Sequence, residues 1–202
     1  MRNLPAPRST APDLGAELGA RTDPWRLITW LTLMAIMAAI SYAARATSGT
    51  PDRDVLYKVS TGIGAIVQDS IILAIVLAAA LAAGGAWSMV GLRHPPSWLR
   101  ALGLAIAVLV AVALLNVALE AALHAGKEQG LTPDHWDPTR AGAYTFNFIV
   151  IAAFVPIVEE ITFRGVGYSL LSRFGTPVAM LGSALAFTLA HGLINGIPAL
   201  LI

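Results

Sequence analysis

The sequence predicts an all-α fold, a multi-pass transmembrane bundle of about five helices. The first observation behind this prediction is composition, because 56% of the 202 residues are hydrophobic and only 12% are charged. A soluble domain carries about 25% charged residues, so this chain cannot cover a water-exposed surface. The second observation is that long uncharged segments, each about the length of a membrane helix, separate the charged residues. Together they exclude a soluble globular protein.

Five uncharged segments are long enough to cross a bilayer, which takes about 20 apolar residues in a helix. The second is expected to begin slightly before Ser70. Because the chain ends within an apolar run, we expect the last span to be cut short and the chain to be a fragment of a longer protein. The predicted spans are Leu27–Ala44, Ser70–Leu92, Ala101–Leu119, Ala141–Val158 and 174–202.

The chain divides into three predicted parts. Residues 1–24 contain several prolines and glycines and no apolar core, which indicates a disordered tail rather than a signal peptide. Residues 25–140 are predicted to hold three membrane helices with their loops, and residues 141–202 contain the informative motifs. With the N-terminus inside, eight arginines fall on the inner side and five basic residues on the outer side. The positive-inside rule therefore predicts a multi-pass protein of the cell membrane with a cytoplasmic N-terminus.

Composition also limits the chemistry and the partners. The chain has no cysteine, which excludes disulfide scaffolds, cysteine zinc sites and thiol catalysis. A formal net charge of +1 gives no reason to expect a nucleic acid as partner. The lipid bilayer is the partner that the hydrophobic segments require.

The first informative motif is the segment PIVEEITFRG, which begins at Pro156. Carboxylates are costly inside a bilayer, at about 2.5–3.5 kcal/mol each on insertion scales, so two adjacent glutamates need compensation. Glu160 and Arg164 are four residues apart, which places them on one helix face where they can pair. Glu159 lies about 100° further round the helix. The pair therefore leaves Glu159 available for chemistry.

The second motif is a histidine in the next apolar segment, SALAFTLAHGLIN. His191 lies one helical turn after Phe187, and neutral imidazole is tolerated among apolar helices. If the spans that carry Glu159 and His191 pack antiparallel, both side chains can meet at one water molecule. A carboxylate and an imidazole beside a water form a hydrolytic arrangement, with the carboxylate as general base or with a metal-bound hydroxide.

Each residue also has a structural interpretation. The glutamates and arginine could form a salt bridge at a cytoplasmic helix end, and His191 alone could be a buried side chain bonded to a neighbouring carbonyl. We assign Asp69, Gln68 and Asn116 to packing or to the ends of spans. The two motifs, in order and on successive hydrophobic segments, are more specific than either alone.

At these residues the sequence resembles the CPBP family of intramembrane proteases, which includes the type II CAAX prenyl endopeptidases and bacterial relatives linked to bacteriocin processing and immunity. The resemblance covers roughly residues 144–196. The motif Glu-Glu-x-x-x-Arg is matched by Glu159, Glu160 and Arg164, and the motif Phe-x-x-x-His by Phe187 and His191.

The resemblance implies an intramembrane endopeptidase whose substrate is a peptide or protein in or at the membrane. It implies that Glu159 activates the water, that His191 helps to hold it, and that the pair of Glu160 and Arg164 supports both. The family is usually described as metal-dependent, which would make Glu159 and His191 ligands of a Zn²⁺ ion. A glutamate-activated water needs no metal, and two ligands are fewer than the three usual at a catalytic zinc, so both alternatives stay open.

The chain departs from the family pattern in lacking the later His-x-x-x-Asn motif. His191 and Asn195 have that spacing, but the distance from Glu159 places His191 in the second motif. A fragment of an active protease is one explanation. The alternative is a truncated relative, which would be a non-catalytic membrane scaffold or an immunity-type protein. A proton-carrying transporter half is less well supported, because the sequence shows no internal repeat.

Overall fold

The computed structural model describes residues 23–47, 52–82, 87–92, 94–123, 133 and 135–191, and none of these residues lies in a strand. Four helices in the described part are long and apolar enough to cross a membrane, and a shorter apolar helix follows them. The prediction of a multi-pass helical bundle is thereby confirmed. The helices are α1 (Pro24–Thr47), α2 (Val59–Leu81), α3 (Trp98–Leu123), α4 (Pro138–Phe174) and α5 (Thr176–His191).

Most spans lie close to their predicted positions. α1 and α3 each extend three or four residues beyond the uncharged windows at both ends. α5 is the described part of the fifth predicted span, whose remainder, from residue 192, lies outside the described residues. The predicted tail likewise lies outside them up to residue 22. The fourth span was predicted to end at Val158, whereas α4 continues through Glu159, Glu160 and Arg164 to Phe174. Uncharged windows therefore locate the helices but not all of their ends, because a charged residue can lie within a helix.

The structure corrects the predicted bounds of the second span. α2 both begins and ends eleven residues earlier than the uncharged window. Its start was missed because Asp69 was treated as a boundary, whereas this side chain is only 8% exposed within the helix. The end of α2 coincides with a cap, since the Arg26 guanidinium donates hydrogen bonds to the carbonyl oxygens of Ala79, Ala80 and Ala82.

α4 changes helix type along its length. Its α-helical segments Ala141–Ile149 and Val155–Glu159 alternate with π-helical segments, Val150–Phe154 and Glu160–Gly167. The first π segment lies just before Pro156, which has no N–H and would crowd the carbonyl four residues earlier in a regular α-helix. The wider turn relieves this conflict, and π segments are frequent at functional sites.

The core forms where α1, α2, α4 and α5 meet. Trp30 of α1 is 2% exposed, and its indole Nε1–H donates to the Thr162 carbonyl oxygen of α4 at 2.9 Å. Gly167 provides space for this ring, because a Cβ there would collide with it. Phe163 and Leu170 of α4 are almost fully buried in the same cluster. This packing fixes α4, which carries the first motif, against α1.

A short 3₁₀ helix, Trp87–Val90, crosses α4 at a very close approach. A Cβ at Gly165 would collide with the carbonyl group of Val90. Gly91, which follows, has a φ of +78°, a backbone conformation that side chains other than glycine rarely adopt. The two glycines therefore allow the backbone at the end of the 3₁₀ helix to contact the backbone of α4 beside the first motif.

α3 differs from the other helices in its surroundings. Between residues 98 and 118 its described side chains are exposed, apart from the half-buried Ala101. They are nearly all apolar, and their exposed faces suit lipid rather than water. The site is therefore built from α1, α2, α4 and α5.

Candidate active site

The two motifs meet through Glu159 and His191. Nε2 of His191 lies 2.9 Å from Oε1 of Glu159, although the residues are 32 positions apart. The Glu159 side chain is 24% exposed and that of His191 38%. The structure thus joins the two residues that the sequence selected for chemistry, at the contact between α4 and α5.

A second hydrogen bond sets the tautomer of His191. Its Nδ1 lies 2.9 Å from the carbonyl oxygen of Phe187, one turn earlier in α5. A carbonyl oxygen only accepts, so Nδ1 carries a hydrogen. Nε2 and the Glu159 carboxyl group then share one proton, as imidazolium and carboxylate or as imidazole and carboxylic acid. Both forms have zero net charge, which lowers the cost of keeping the pair inside the bundle.

The His191 ring is held on one side by Phe187. The two rings stack with centroids 4.4 Å apart and an interplanar angle of 29°. Phe163 of α4 meets Phe187 edge-on, with centroids 5.2 Å apart. The guanidinium carbon of Arg164 lies 5.1 Å from the Phe187 centroid, a cation–π distance. Phe187 therefore lies between the arginine of the first motif and the histidine of the second.

Glu160 and Arg164 form the predicted ion pair, with Nη1 and Oε1 2.9 Å apart. Their side chains are 59% and 55% exposed and line a cleft of about 440 Å³ with apolar walls, separate from the cavity at Glu159. The structure therefore brings the four predicted residues together as two pairs rather than one cluster. The link between the pairs is the Phe187 ring.

The end of α5 is fixed by a residue that sequence reasoning missed. Ser41 of α1 is buried, and its hydroxyl donates to the carbonyl oxygen of Ala190 at 2.9 Å. Ala190 precedes His191, so this bond holds the histidine backbone against α1. A lone serine in an apolar span gives no sequence signal for such a contact.

A cavity of about 170 Å³ adjoins the Glu159–His191 pair. That volume holds a few water molecules. The opposite wall is α2, from which Asp69 and Gln68 line the cavity. These two residues lie in the middle of α2, so their assignment to the end of a span was wrong, while the alternative assignment to packing stays a prediction. The available signal was a carboxylate within an otherwise apolar helix, which is a functional-site hypothesis by default in a membrane protein.

The predicted zinc ligands, Glu159 and His191, can be compared with the ligands that a catalytic zinc ion requires. Within the part of the chain that the structure describes, no three His, Asp or Glu side chains are grouped so that they could hold a metal ion. Glu159 and His191 are hydrogen-bonded to each other instead. A catalytic zinc normally has three protein ligands, so the described residues do not fit one. Asn195 and the later part of the last predicted span lie outside the described residues.

Comparison with known proteins agrees with the motifs. Residues 141–202 match a family model described as type II CAAX prenyl endopeptidase Rce1-like. No curated protein and no solved structure gives a match to the chain. The matched region contains Glu159, Glu160, Arg164 and His191. Together with the long apolar helices, the family makes the chain an integral membrane protein. Residues 141–202 are therefore similar to the CPBP family of intramembrane proteases, in agreement with the motifs.

Proposed function

We propose that the protein is an intramembrane endopeptidase that hydrolyses a peptide bond with a water molecule activated by Glu159. The observation that carries the proposal is the 2.9 Å contact between Glu159 and His191 at the edge of a polar cavity within apolar helices. The helices α4 and α5 meet there through a carboxylate and an imidazole. Groups of these types carry out general acid–base catalysis.

In this mechanism the Glu159 carboxylate takes a proton from the water. The water oxygen attacks the carbonyl carbon of the substrate, and the carbonyl electron pair moves to its oxygen. When the C–N bond breaks, Glu159 returns the proton to the leaving nitrogen. His191 as imidazolium balances the Glu159 charge and keeps one carboxylate oxygen in place, while the other remains for the water. The steps use only groups that surround the cavity.

The substrate would be a peptide segment in or at the membrane, because the site lies on helices that span it. A prenylated substrate is one possibility within the family, and an unmodified peptide is the other. Two quenched-fluorescence peptides distinguish them: one that ends in a farnesylated CAAX sequence and the same peptide without the farnesyl group. Cleavage of either probe, located by mass spectrometry, establishes the endopeptidase.

The test of Glu159 is the full protein in detergent micelles or proteoliposomes, compared with Glu159→Gln. We expect the variant to lose about 10²- to 10⁴-fold in kcat, the range of general acid–base catalysis, with an unchanged level in membranes. The matched control is Asp54→Asn, which makes the same chemical change at an exposed carboxylate paired with Arg140. Wild-type cleavage by Glu159→Gln would exclude Glu159 as the base.

The same assay addresses zinc and the non-catalytic alternative. We propose a metal-free site, so cleavage should survive dialysis against a chelator, and loss restored by Zn²⁺ would contradict that. A scaffold or immunity-type protein would cleave neither probe. It would also show lower abundance for Arg164→Ala, which breaks the ion pair with Glu160, and no effect of Glu159→Gln.

A further inference from the structure

Asp69 is a carboxylate near the midpoint of the 23-residue helix α2. It is 8% exposed, and apart from its neighbours Gln68 and Ser70 the residues from Ile63 to Leu81 are apolar or glycine. A charged side chain at such a depth is costly, and such residues in membrane helices are usually turned to a functional cavity or a partner. Neither of the two motifs includes it, and it lies outside the region that matches the family model.

The surroundings of Asp69 are those of the active site. It lines the same cavity of about 170 Å³ as Glu159 and His191, from the opposite helix. The neutral Gln68 side chain donates a hydrogen bond to its carboxyl group, and Glu159 and His191 are the ionisable groups that interact with it electrostatically. The position is therefore unlike that of a packing residue, whose charge would be balanced by a fixed ion pair or by backbone groups.

We infer that Asp69 is a second catalytic carboxylate, which holds the attacking water together with Glu159. A water molecule has two hydrogens to donate. One Glu159 oxygen is occupied by His191, so the other accepts the first hydrogen, and Asp69 across the cavity accepts the second. The oxygen lone pairs are then directed into the remaining space, where a substrate carbonyl would lie. The inference rests on the proposed hydrolytic function.

The chemical step distinguishes the two carboxylates. The O–H bond that points to Glu159 breaks, its proton moves to Glu159, and its electron pair becomes available for the new C–O bond. The O–H bond that points to Asp69 stays intact, and its hydrogen remains on the hydroxyl group of the tetrahedral intermediate. Asp69 thus aligns the nucleophile and takes no proton, and loss of alignment alone can cost about 10²-fold in rate.

The test is the kinetics of Asp69→Leu and Asp69→Asn in the full protein with the cleaved peptide probe. Leucine removes the acceptor and the buried charge, and asparagine keeps the size with a weaker acceptor. We expect kcat to fall about 10²-fold for leucine and less for asparagine, with KM within about twofold of wild type. The control is Ser70→Leu, at an exposed position on the same helix.

Stability separates this role from a structural one. Asp69 forms no ion pair with the described residues, so an apolar side chain at this position removes the cost of burying an unpaired charge. Asp69→Leu should therefore be as abundant and as thermally stable as wild type while it cleaves slowly. Lower abundance with normal kcat per folded molecule would overturn the inference. If Asp69→Leu does not fold, a folded Asp69→Asn variant with wild-type kcat would also overturn the inference.

The outcomes also separate this inference from the proposed function. Loss of cleavage in Glu159→Gln with full activity in Asp69→Leu leaves the endopeptidase intact and removes Asp69 from its mechanism. If the wild-type protein cleaves neither peptide, both the proposed function and the role of Asp69 are contradicted.

Discussion

Two regions of the bundle bury charged side chains, and the groups that surround those side chains differ between the two regions. Arg26 is fully buried, and its guanidinium donates to the carbonyl oxygens of Ala79 and Ala80 at 3.1 and 2.7 Å, and to that of Ala82. Ala79 and Ala80 belong to the last turn of α2, whose carbonyls have no partner within the helix, and Ala82 is its C-cap, at the negative end of the helix dipole. These carbonyl acceptors belong to the backbone, which cannot move away while the helix remains. The Met89 Sδ and an Asp23 carboxylate oxygen are additional side-chain partners, at 3.9 and 3.8 Å.

Glu159 and Asp69 instead face a cavity. Their partners are side chains, and the cavity leaves carboxylate oxygen accessible to small molecules. The comparison shows that the surroundings of a buried charge indicate its role better than its presence does. A charge that fixed backbone satisfies holds helices together, whereas a charge beside a cavity is available for reaction. Three changes test this distinction, in order of expected effect.

The largest effect is expected for Arg26→Leu. The substitution leaves the carbonyls at the end of α2 without their donor, and each buried carbonyl left unsatisfied costs about 1–3 kcal/mol of unfolding free energy. Denaturant unfolding in micelles measures it. The control is Arg100→Leu on the exposed side of α3, which should change stability by less than about 0.5 kcal/mol. Equal stabilities of the two variants would contradict a capping role for Arg26.

A smaller effect is expected for Phe187→Leu, which removes the ring between Arg164 and His191. Without the stack, His191 keeps its hydrogen bonds and the more distant Phe163 ring, 6.3 Å away. We expect kcat to fall about tenfold, or about 1.4 kcal/mol, with little change in KM. The matched control is Phe174→Leu, which removes the ring under Arg173, another cation–π pair outside the site. A similar loss in both variants would show a general packing effect rather than a role in the site.

The smallest effect is expected at the exposed start of α4. Hydrogen bonds from Thr139, and then from Arg140, lower the pKa of Asp137 from 3.8 to about 2. Because the folded-state pKa is the lower one, the contribution to stability is complete above pH 3.8 and is lost as the pH falls to about 2. Asp137→Asn should flatten the acid limb of an unfolding-midpoint curve in this window. An unchanged acid limb would show that solvent screens these contacts completely.

Sequence reasoning located what depends on local spacing. The pair of Glu160 and Arg164 follows from a separation of four residues, and the helices follow from uncharged windows. Glu159 and His191 were expected to meet at one water molecule if their helices pack antiparallel. The structure places the two side chains in direct contact, while the shared water and their catalytic roles stay predictions.

The missed features depend on contacts between distant segments. Asp69 and Arg26 were both treated as span boundaries, because a charge inside a bundle and a charge at its edge look the same in a single sequence. The π segments of α4 were also missed, because their hydrogen bonds change the helix without changing its hydrophobic composition. The burial of a charged side chain and the identity of its partner distinguish these cases. Both are determined only when the helices pack together.

The crossing of Gly165 with Val90 and Gly91 has a consequence for how this protein can evolve. Any side chain at Gly165 would push the 3₁₀ helix away from α4 beside the first motif, and Gly91 is restricted by its backbone conformation. A Cβ at Gly103 of α3, by contrast, would meet nothing within 4 Å. The tolerance for substitutions therefore differs along the chain. The sequence of α3 can change as the surrounding lipid changes, whereas the crossing beside the first motif restricts substitutions in both the 3₁₀ helix and α4.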